Sequence, residues 1–584
     1  MPTPGKSVST TSTAPCFHRA AAPARLRVPP VTGRERRERP PAHLPPPTRP
    51  PAFGTRRPLG RCRHRRPGGG ARSPGPGRHI VSGTEPVSVP EVERKYVLRP
   101  GQSLPPPDGL PATARPPSVD TLTAQYFDTR DLRLLRLGVT LRRREGGPDA
   151  GWHLKIPAGT GAGGAPARTE VRLGLAAGTG PPEPLVELLT GVTRREPLVP
   201  VAHITTERLR RELVDAGGRP QAEVVEDRVR AVVGGHAGAQ RWREIEVEDV
   251  VGDGAVADVL SARLAAAGIE RSASPSKLHH AVSAADGSAL PAPPAQEGVL
   301  RGYLRRELEH LVLADVGVRR DVPESVHAMR KASRRLRSAL RAYAPVVGLA
   351  ERADALEDEL RWLGHRLSEA RDVEVQRARL AARVAAIAAP GHETAPACLE
   401  AYFDERGAAA REHVVAALDS ERYLGLLGDL EALVGDLAGP DGRDLRRGDV
   451  ARPLRRLTKK VTGRLRDVEA APAPAERDAA VHRVRKAAKR LRYAVEVAEP
   501  LAPKKAGRAL NRLDDLQDLL GEFQDAVVAR EHLARAAGQG TTAGATGLTL
   551  GVAYQQETGV AEAQVACLGR GWKRALKRVR PLCS

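Results

Sequence analysis

The pattern of hydrophobic and polar positions divides the chain into two halves of different character. Between residues 87 and about 283, short segments alternate apolar and polar residues and are separated by Gly and Pro. This spacing favours an antiparallel sheet or barrel. Helical patterns are found near 184–189 and 255–267. The predicted strands are 89–98, 121–128, 140–144, 151–156, 169–175, 204–214, 221–233 and 241–250.

From about residue 298 onward, the apolar positions recur with the period of long helices, which predicts an all-α domain. This half also repeats itself. VHAMRKASRRLR at 326–337 is echoed by VHRVRKAAKRLR at 481–492, and each copy is followed at a similar distance by ARDV (370–373) or FQDA (523–526). Duplication of one helical unit explains this. The predicted helices are 299–318, 323–343, 350–367, 373–388, 395–418, 451–468, 475–498, 504–536 and 551–579.

Two further segments have the composition of unfolded chain. Residues 1–86 are rich in Pro, Arg and Gly without an apolar period, which predicts a disordered tail. Residues 283–297 read as a linker. The predicted organisation is therefore a multidomain α+β protein with a tail (1–86), a β-domain (87–282), a linker (283–297) and a helical domain (298–584).

The net charge of +23 indicates anionic partners such as nucleic acid, polyphosphate or an acidic membrane surface. The tail alone carries 17 Lys and Arg against three Glu, so it exaggerates the basic character of the folded part. Five scattered cysteines predict neither a disulfide framework nor a zinc site. Without an apolar membrane span or signal peptide in the sequence, we expect a cytoplasmic protein with no membrane partner.

Charged residues alternate along several predicted strands. In EVERK, Glu91, Glu93 and Lys95 share one strand face. One such strand could be a solvated face, but repetition along several strands favours a common charged interior. Arg and Lys suit phosphate oxygens, and clustered Glu suits divalent cations. The other charged positions are Arg142 and Arg144, Lys155, Arg168 and Glu170, Arg208, Glu223, Asp227, and Glu244, Glu246 and Glu248.

The ExExK strand, the YFDTRDLRLLRLGVTLRRR segment and the ExExE strand together resemble the CYTH domain, or triphosphate tunnel metalloenzyme fold. The resemblance implies an eight-stranded antiparallel β-tunnel that acts on triphosphates with Mg²⁺ or Mn²⁺. It implies catalytic roles for Glu91, Glu93 and Lys95. Strand alternation would turn Arg143 outward, and Glu170 is expected to balance the bases rather than bind metal. The implied metal ligands are Glu91, Glu93, Glu244 and Glu246, with Glu248, Asp227 and Glu223 as further candidates. The implied phosphate-binding bases are Lys95, Arg142, Arg144, Lys155, Arg168, Arg208 and Lys277.

Each repeated helical motif carries a stripe of basic residues on one helix face. Such a stripe is commonly a solvated face, and a packing role for the His pair stays open, but duplication favours a shared anion-binding surface. This half resembles the CHAD domain, which implies two pseudo-symmetric four-helix bundles that bind inorganic polyphosphate. Gln524 stands where the first copy has Arg371. The implied binding residues are His327, Arg330, Lys331, Arg334, Arg335, Arg337, Arg341, His482, Arg485, Lys486, Lys489 and Arg490.

These observations lead to the hypothesis of a cytoplasmic phosphohydrolase that cleaves inorganic tripolyphosphate and holds polyphosphate through its helical half, in association with polyphosphate granules. Two alternatives stay open: a non-catalytic polyphosphate-binding protein, and an adenylyl cyclase or a nucleoside or thiamine triphosphatase that uses the same tunnel. Nucleic acid is expected as a partner only non-specifically, through the basic tail.

Overall fold

The computed structural model describes residues 86–584 except for 107–108, 161–165, 176–177, 237, 252–253, 287–296, 438–442 and 539–543. The predicted disordered tail therefore lies outside the described residues, apart from Pro86.

Eight strands of the N-terminal half close into an antiparallel barrel, which confirms the predicted tunnel fold. Their order is β7-β3-β4-β5-β6-β1-β9-β8, and β8 pairs again with β7. The short β2 pairs with the end of β7 only. The strands are β1 (Val87–Leu98), β2 (Thr113–Ala114), β3 (Ser118–Asp128), β4 (Thr140–Glu145), β5 (Gly151–Thr160), β6 (Pro166–Leu173), β7 (Val199–Val214), β8 (Pro220–Val233) and β9 (Gln240–Asp249).

The barrel carries its apolar residues on the outside, under helices. Tyr96 and Ile245 turn outward and pack with Leu260 and Leu264 of the helix α4 (Ala255–Ala266). On another side, the outward apolar residues of β4, β5 and β6 join the core built around three short helices. Because the outer face supplies the core, the inner face is free for polar residues. The helices are α1 (Arg133–Arg136), α2 (Glu183–Leu188), α3 (Thr190–Thr193) and α4 (Ala255–Ala266).

One end of the barrel is closed by the helix α5 (Lys277–Asp286). Its residues Leu278 and Ala281 pack against Ile204 and Val229, which lie on the same strand faces as the charged interior residues further along β7 and β8. The predicted linker 283–297 is therefore wrong in its first part, where α5 continues to Asp286. Packing of an apolar helix face inside the barrel overrides the linker-like composition.

The C-terminal half is helical, as predicted. The prediction missed α11, in which Gly425 and Gly428 lower the helix propensity while the buried leucines around them hold the helix in the core. The helices are α6 (Val299–Arg319), α7 (Ser325–Tyr343), α8 (Ala350–Arg366), α9 (Ser368–Ala385), α10 (Ala395–Leu418), α11 (Glu421–Asp436), α12 (Ala451–Glu469), α13 (Pro474–Val497), α14 (Pro503–Gly538) and α15 (Ala545–Val579).

The duplication is visible in the order of these helices. In chain order, α6 corresponds to α12 and α7 corresponds to α13. The pair α8 and α9 corresponds to the single long helix α14, and the pair α10 and α11 corresponds to α15. The motif helices α7 and α13 pack together, and the Tyr343 hydroxyl donates a hydrogen bond to the Ala494 carbonyl (2.7 Å). None of the described helices combines the length and the apolar character needed to cross a membrane.

The barrel and the helical half share one continuous apolar core, which includes Leu189 directly before α3, Val192 within α3 and Leu311 of α6. Polar contacts surround it. Arg194 pairs with Glu431 of α11, and Arg195 Nη2 donates to the Asp419 carbonyl (2.7 Å).

Candidate active site and anion-binding surface

The alternation of β1 places the three predicted catalytic residues inside the barrel. Glu91, Glu93 and Lys95 line the interior, whereas Arg94 and Tyr96 turn outward and hydrogen-bond to Ser261 of α4 (2.7 and 2.6 Å). The interior position excludes the alternative that the ExExK face is solvated on the outside of the sheet.

The neighbouring strands bring most of the other predicted residues to the same interior. Register with β9 sets Lys95 opposite Glu246 and Glu93 opposite Glu248, so the ExExK and ExExE strands lie side by side. Arg143 stays outside, as predicted, and pairs with Glu145. The interior is also lined by Arg142, Arg144, Lys155, Arg168, Glu170, Arg208, Glu223 and Lys277.

A buried acidic cluster lies at the α5 end of the interior. Asp227, Glu244 and Glu246 each offer one carboxylate oxygen within 4.8 Å of the others. The Lys277 ammonium, on the first residue of α5, lies 2.8, 2.7 and 2.6 Å from these three carboxylates in turn. Arg208 donates both Nε and Nη2 to Asp227 (2.8 and 2.7 Å) and Nη2 to Glu246 (2.8 Å). The cluster could bind a metal ion, because carboxylate oxygens are ligands for hard cations.

The Lys95 side chain, on β1, lies between the acids of β1 and those of β9. Its ammonium donates to Glu93 (2.9 Å) and to Glu246. Burial and the Glu246 charge raise the pKa of Glu93, whereas Lys277 and Lys95 overcome burial and hold the pKa of Glu246 well below its usual value. Glu93 is thus the carboxyl group that is less readily ionised in this pair, and added positive charge would favour its ionised form.

A second group of charges surrounds Glu91. The Lys155 ammonium donates to Glu91 and lies 3.6 Å from Glu170. Glu170 bonds to His153 Nδ1 (2.9 Å) and accepts from Arg172 Nε (2.6 Å), so its oxygens are engaged by bases. Sequence reasoning missed His153 and Arg172, although Arg172 continues the alternation of Arg168 and Glu170 along β6 and could have been found from it.

Arginines dominate the rest of the interior. Arg142 Nη1 donates to the Tyr126 hydroxyl (3.3 Å), and Arg144 pairs with Asp149. Arg168 Nη2 donates to the Pro275 carbonyl (2.7 Å). Two aromatic side chains lie on the described inner face, and both are engaged: Arg142 holds the Tyr126 hydroxyl, and Trp242 donates its indole N–H to Glu244 (2.7 Å) and stacks on His280 of α5. The interior therefore suits a compact anion better than a planar base.

The two motif helices bring four bases of the predicted stripes together. Arg334 Nη2 donates to the Tyr493 hydroxyl of α13 (3.2 Å), and Arg330 Nη1 donates to the Ser368 carbonyl (3.2 Å). Burial, Arg334 and Arg485 lower the pKa of Lys489 to about 5, and burial and Arg334 lower that of Arg485 to about 10. A cluster of bases that suppress one another's charge is relieved by a bound anion.

The remaining stripe residues separate into different surroundings. Lys331 and Lys486 are exposed. Arg335 pairs with Glu307 (3.1 Å) and Glu496, which gives it a packing role between α6, α7 and α13. Further along α7 and α13, burial and the charges of Arg361 of α8 and Arg341 lower the pKa of Arg337, and burial and the charges of Arg341 and Arg337 lower that of Arg490. Burial and the Arg490 charge likewise lower the pKa of Lys460 of α12. Sequence reasoning missed Arg361 and Lys460, although the run RRLTKK in α12 is a visible signal.

The histidines show that the two copies are not equivalent. Burial and the Arg371 charge lower the pKa of His327 to about 4. In the second copy, His482 Nδ1 hydrogen-bonds to Gln524 Oε1 instead. Gln524 therefore takes the place of Arg371 in space as well as in sequence.

Comparison with known proteins agrees with this division. The CYTH domain model matches residues 90–282 and the CHAD domain model matches residues 302–534. The protein Rv2226 of Mycobacterium tuberculosis (strain ATCC 25618 / H37Rv) is 36% identical over 519 residues, which cover 84% of this chain and 95% of that protein.

Two solved structures are similar to parts of the chain. The CHAD domain from the plant Ricinus communis is 28% identical, with a TM-score of 0.39, and the match covers 47% of this chain and 90% of that one. PptA from Streptomyces chartreusis is 22% identical, with a TM-score of 0.38, and the match covers 47% of this chain and 98% of that one. From the two domain models and the full-length relative, we conclude that the chain belongs to the triphosphate-tunnel family of proteins in which a CYTH domain is followed by a CHAD domain.

Proposed function

We propose that the chain is a metal-dependent inorganic triphosphatase whose helical domain holds polyphosphate. The observation that carries the proposal is the meeting of acids and bases on the inner face of one closed barrel, with Glu91, Glu93 and Glu246 all turned inward. If the barrel interior did not bind a ligand, burying this many charged side chains would only lower the stability of the fold.

The acids fit a divalent cation. Within the described residues, the buried Oε2 of Glu91 accepts no hydrogen bond. Glu93 and Glu246 add further oxygens next to it, and Asp227 and Glu244 extend the set. All of these are hard oxygen donors of the kind that Mg²⁺ and Mn²⁺ bind. When bound, such an ion supplies positive charge that offsets the phosphate oxygens and acidifies water.

The bases would hold the substrate. The guanidinium groups of the arginines match phosphate oxygens through paired N–H donors, and the lysine ammonium offers a point charge. These bases are Arg142, Arg144, Lys155, Arg168 and Arg208. They stabilise the charge that moves to the leaving diphosphate. In the reaction, a water oxygen bonds to the terminal phosphorus and the bond to the bridging oxygen breaks, which releases orthophosphate, diphosphate and a proton.

Tripolyphosphate is favoured over nucleotides because the aromatic side chains of the described inner face are already engaged: Trp242 stacks on His280 of α5 (4.3 Å) and donates its indole N–H to Glu244 (2.7 Å). Tyr126, further along the interior, is bonded to Arg142 through its hydroxyl. A nucleoside triphosphatase or cyclase needs contacts for the base as well as for the phosphates.

The helical domain would bind polyphosphate through the cluster of Arg330, Arg334, Arg485 and Lys489. A long polyanion can contact this cluster and the second basic region around Arg490 at once, so that weak contacts add up to tight but salt-sensitive binding.

The test is phosphate release by the full chain from tripolyphosphate, ATP and thiamine triphosphate, with Mg²⁺ or Mn²⁺. Tripolyphosphate should be hydrolysed fastest. Glu91→Gln and Glu246→Gln should lower kcat by about a hundredfold or more, because they weaken both metal binding and the charge balance. Glu207→Gln is the matched control, because Glu207 lies exposed on the outside of β7.

Other outcomes would point elsewhere. No metal-dependent turnover of any of the three substrates, with polyphosphate still bound, would favour a binding protein. Release of cyclic AMP and diphosphate from ATP would favour a cyclase. Arg334→Glu combined with Arg490→Glu should weaken polyphosphate binding and leave tripolyphosphate hydrolysis intact. If that double variant still holds polyphosphate at moderate salt, the basic helix faces are only solvated.

A further inference from the structure

A second cavity opens beside the tunnel, through the wall of the barrel. It shares Glu91, Glu93, Lys95 and Arg168 with the tunnel interior and has a volume of about 190 Å³. That is many times the roughly 10–15 Å³ that admits one water molecule. The wall residues that the two spaces do not share include Pro166, Arg271, Ser272, Ser274 and Pro275.

The cavity exists because β1 changes its neighbours halfway along its length. Its first half, from Val87 to Val92, pairs with β6. Beyond the start of β6 at Pro166, the segment 270–272 lies along the β1 edge instead, where the Ser272 amide donates to the Lys95 carbonyl (2.9 Å) and the Val97 amide to the Glu270 carbonyl (3.0 Å). The space between Pro166, at the start of β6, and this segment reaches Glu91 and Glu93 from the side.

This side opening lies near the closed end of the tunnel. The interior extends away from α5 toward Glu223 near the start of β8, six residues from Val229, against which α5 packs. The axial mouth is therefore expected at that end. Six strand residues span about 20 Å. A group bound near Lys277 and Lys95 would therefore be at the far end from the axial mouth but next to the side cavity.

The chemistry of the cavity suits a small phosphate anion. Arg168 and Arg271 supply guanidinium groups, and Ser272 and Ser274 supply hydroxyls. The two acids in the wall already have cationic partners, because Glu91 pairs with Lys155 and Glu93 with Lys95. Arg271 is exposed and lies over the Tyr96 ring (5.4 Å), with Nη1 3.5 Å from its hydroxyl. Its guanidinium therefore has donors to spare for an anion.

We propose that the side cavity binds orthophosphate and is the route by which this product leaves, while diphosphate leaves through the axial mouth. The inference rests on the proposed hydrolysis of tripolyphosphate. The terminal phosphate lies deepest when the substrate enters through the axial mouth, so the product formed there is the one next to the side opening. Arg168 and Arg271 then receive it in the side cavity.

Product inhibition tests the route. Orthophosphate should inhibit the wild-type chain noncompetitively against tripolyphosphate, because Arg271, Ser272 and Ser274 lie outside the tunnel interior that holds the substrate. Arg271→Gln should raise the inhibition constant of orthophosphate about tenfold, as for loss of one charged hydrogen bond, with the KM for tripolyphosphate within about twofold. Ser274→Ala should raise it by a smaller factor. Arg241→Gln, an exposed arginine on the outside of β9, should change nothing.

Calorimetric titration of the full chain with orthophosphate separates this inference from the function on which it rests. Binding that Arg271→Gln weakens and Arg241→Gln does not would support the cavity as a phosphate site even if no hydrolysis were found, in which case the proposed function would fail alone. Hydrolysis with purely competitive orthophosphate inhibition, or with equal constants for Arg271→Gln and Arg241→Gln, would overturn the side route and leave the triphosphatase intact.

Discussion

At the scale of single residues, the character of the tunnel depends on the two-residue period of its strands. Arg142 and Arg143 are neighbours in sequence, yet the first lies inside beside Tyr126 and the second pairs with Glu145 outside. A shift of one position in strand register would exchange them. The interior is thus fixed by pairing between strands as much as by composition.

This difference gives a matched pair of substitutions. Arg142→Gln removes one of the proposed phosphate-binding bases, and we expect the KM for tripolyphosphate to rise about tenfold or more, as for loss of a charged hydrogen bond. Arg143→Gln removes the same charge from the outside and should leave the KM within about twofold. Steady-state kinetics at fixed Mg²⁺ measures both. Equal effects would mean that only overall charge matters.

Lys277 allows a test of the acidic cluster without any activity measurement. Because its ammonium contacts Asp227, Glu244 and Glu246, Lys277→Gln leaves buried carboxylates with less compensation and should lower the free energy of unfolding by about 3–5 kcal/mol in EDTA. Mg²⁺ or Mn²⁺ should restore part of the loss. Denaturant unfolding with and without metal measures it.

Lys573→Gln, on the exposed side of α15, is the control and should be neutral. If neither metal ion stabilises Lys277→Gln more than the wild type, the cluster is a structural ion-pair network and not a cation site.

The inward direction of Glu91, Glu93 and Lys95 could be predicted from the sequence because strand alternation is local. The sequence did not allow us to predict which base contacts which acid. Lys277 reaches the acids only because α5 turns back into the barrel, and that depends on packing against Ile204 and Val229. The structure places the predicted site residues in the interior, and their catalytic and metal-binding roles stay predictions.

At the scale of elements, the two motif helices act as one unit. Neither α7 nor α13 alone would concentrate buried charge, but their contact brings Arg330 and Arg334 next to Arg485 and Lys489. The sequence repeat predicted two matching basic stripes, one on each motif helix. It did not show that the stripes meet, nor that Arg335 would turn to Glu307 and Glu496 instead. These features follow from helix packing, which the spacing of residues within one helix does not specify.

The pKa of Lys489 near 5 predicts a pH dependence. The usual lysine value is 10.5, so between pH 5 and 10.5 the unfolded chain binds more protons at this site than the folded chain, and stability rises with pH. Lys489→Met removes this proton linkage. The variant should therefore gain stability over the wild type as pH falls from 8 to 6, by at most about 1.4 kcal/mol per pH unit.

Urea unfolding in a phosphate-free buffer at pH 6, 7 and 8 measures this difference, with Lys486→Met on the exposed side as the control. A bound polyanion should favour the charged amine, so polyphosphate affinity should strengthen toward pH 6 in the wild type and less so in Lys489→Met. The other titratable groups around the cluster are His327, His482, Asp372 and Asp525. An identical pH profile in Lys489→Met would assign the effect to those groups.

At the scale of the whole molecule, the barrel and the helical domain are joined by a tight contact as well as by a common core. Gly191 of α3 packs so closely on Asp315 of α6 that a Cβ at this position would overlap the carboxylate. Asp315 is fully buried and is held by Arg319 (2.8 Å) and Tyr423 (3.3 Å), and burial raises its pKa to about 6. The glycine is therefore needed for this close approach between the domains.

Gly191→Ala should loosen the contact between the barrel and the helical domain, because the added methyl group would overlap Asp315. We expect it to lower the free energy of unfolding by about 1–3 kcal/mol, in the range for overpacking, and to split one thermal transition into two because the shared core no longer couples the domains. Gly364→Ala is the control. Gly364 lies in α8 with no atom near its Cβ position, so alanine there should stabilise the helix slightly. Calorimetry compares the two variants. If Gly191→Ala still unfolds in one transition at the wild-type temperature, α6 yields at little cost and this contact does not hold the domains together.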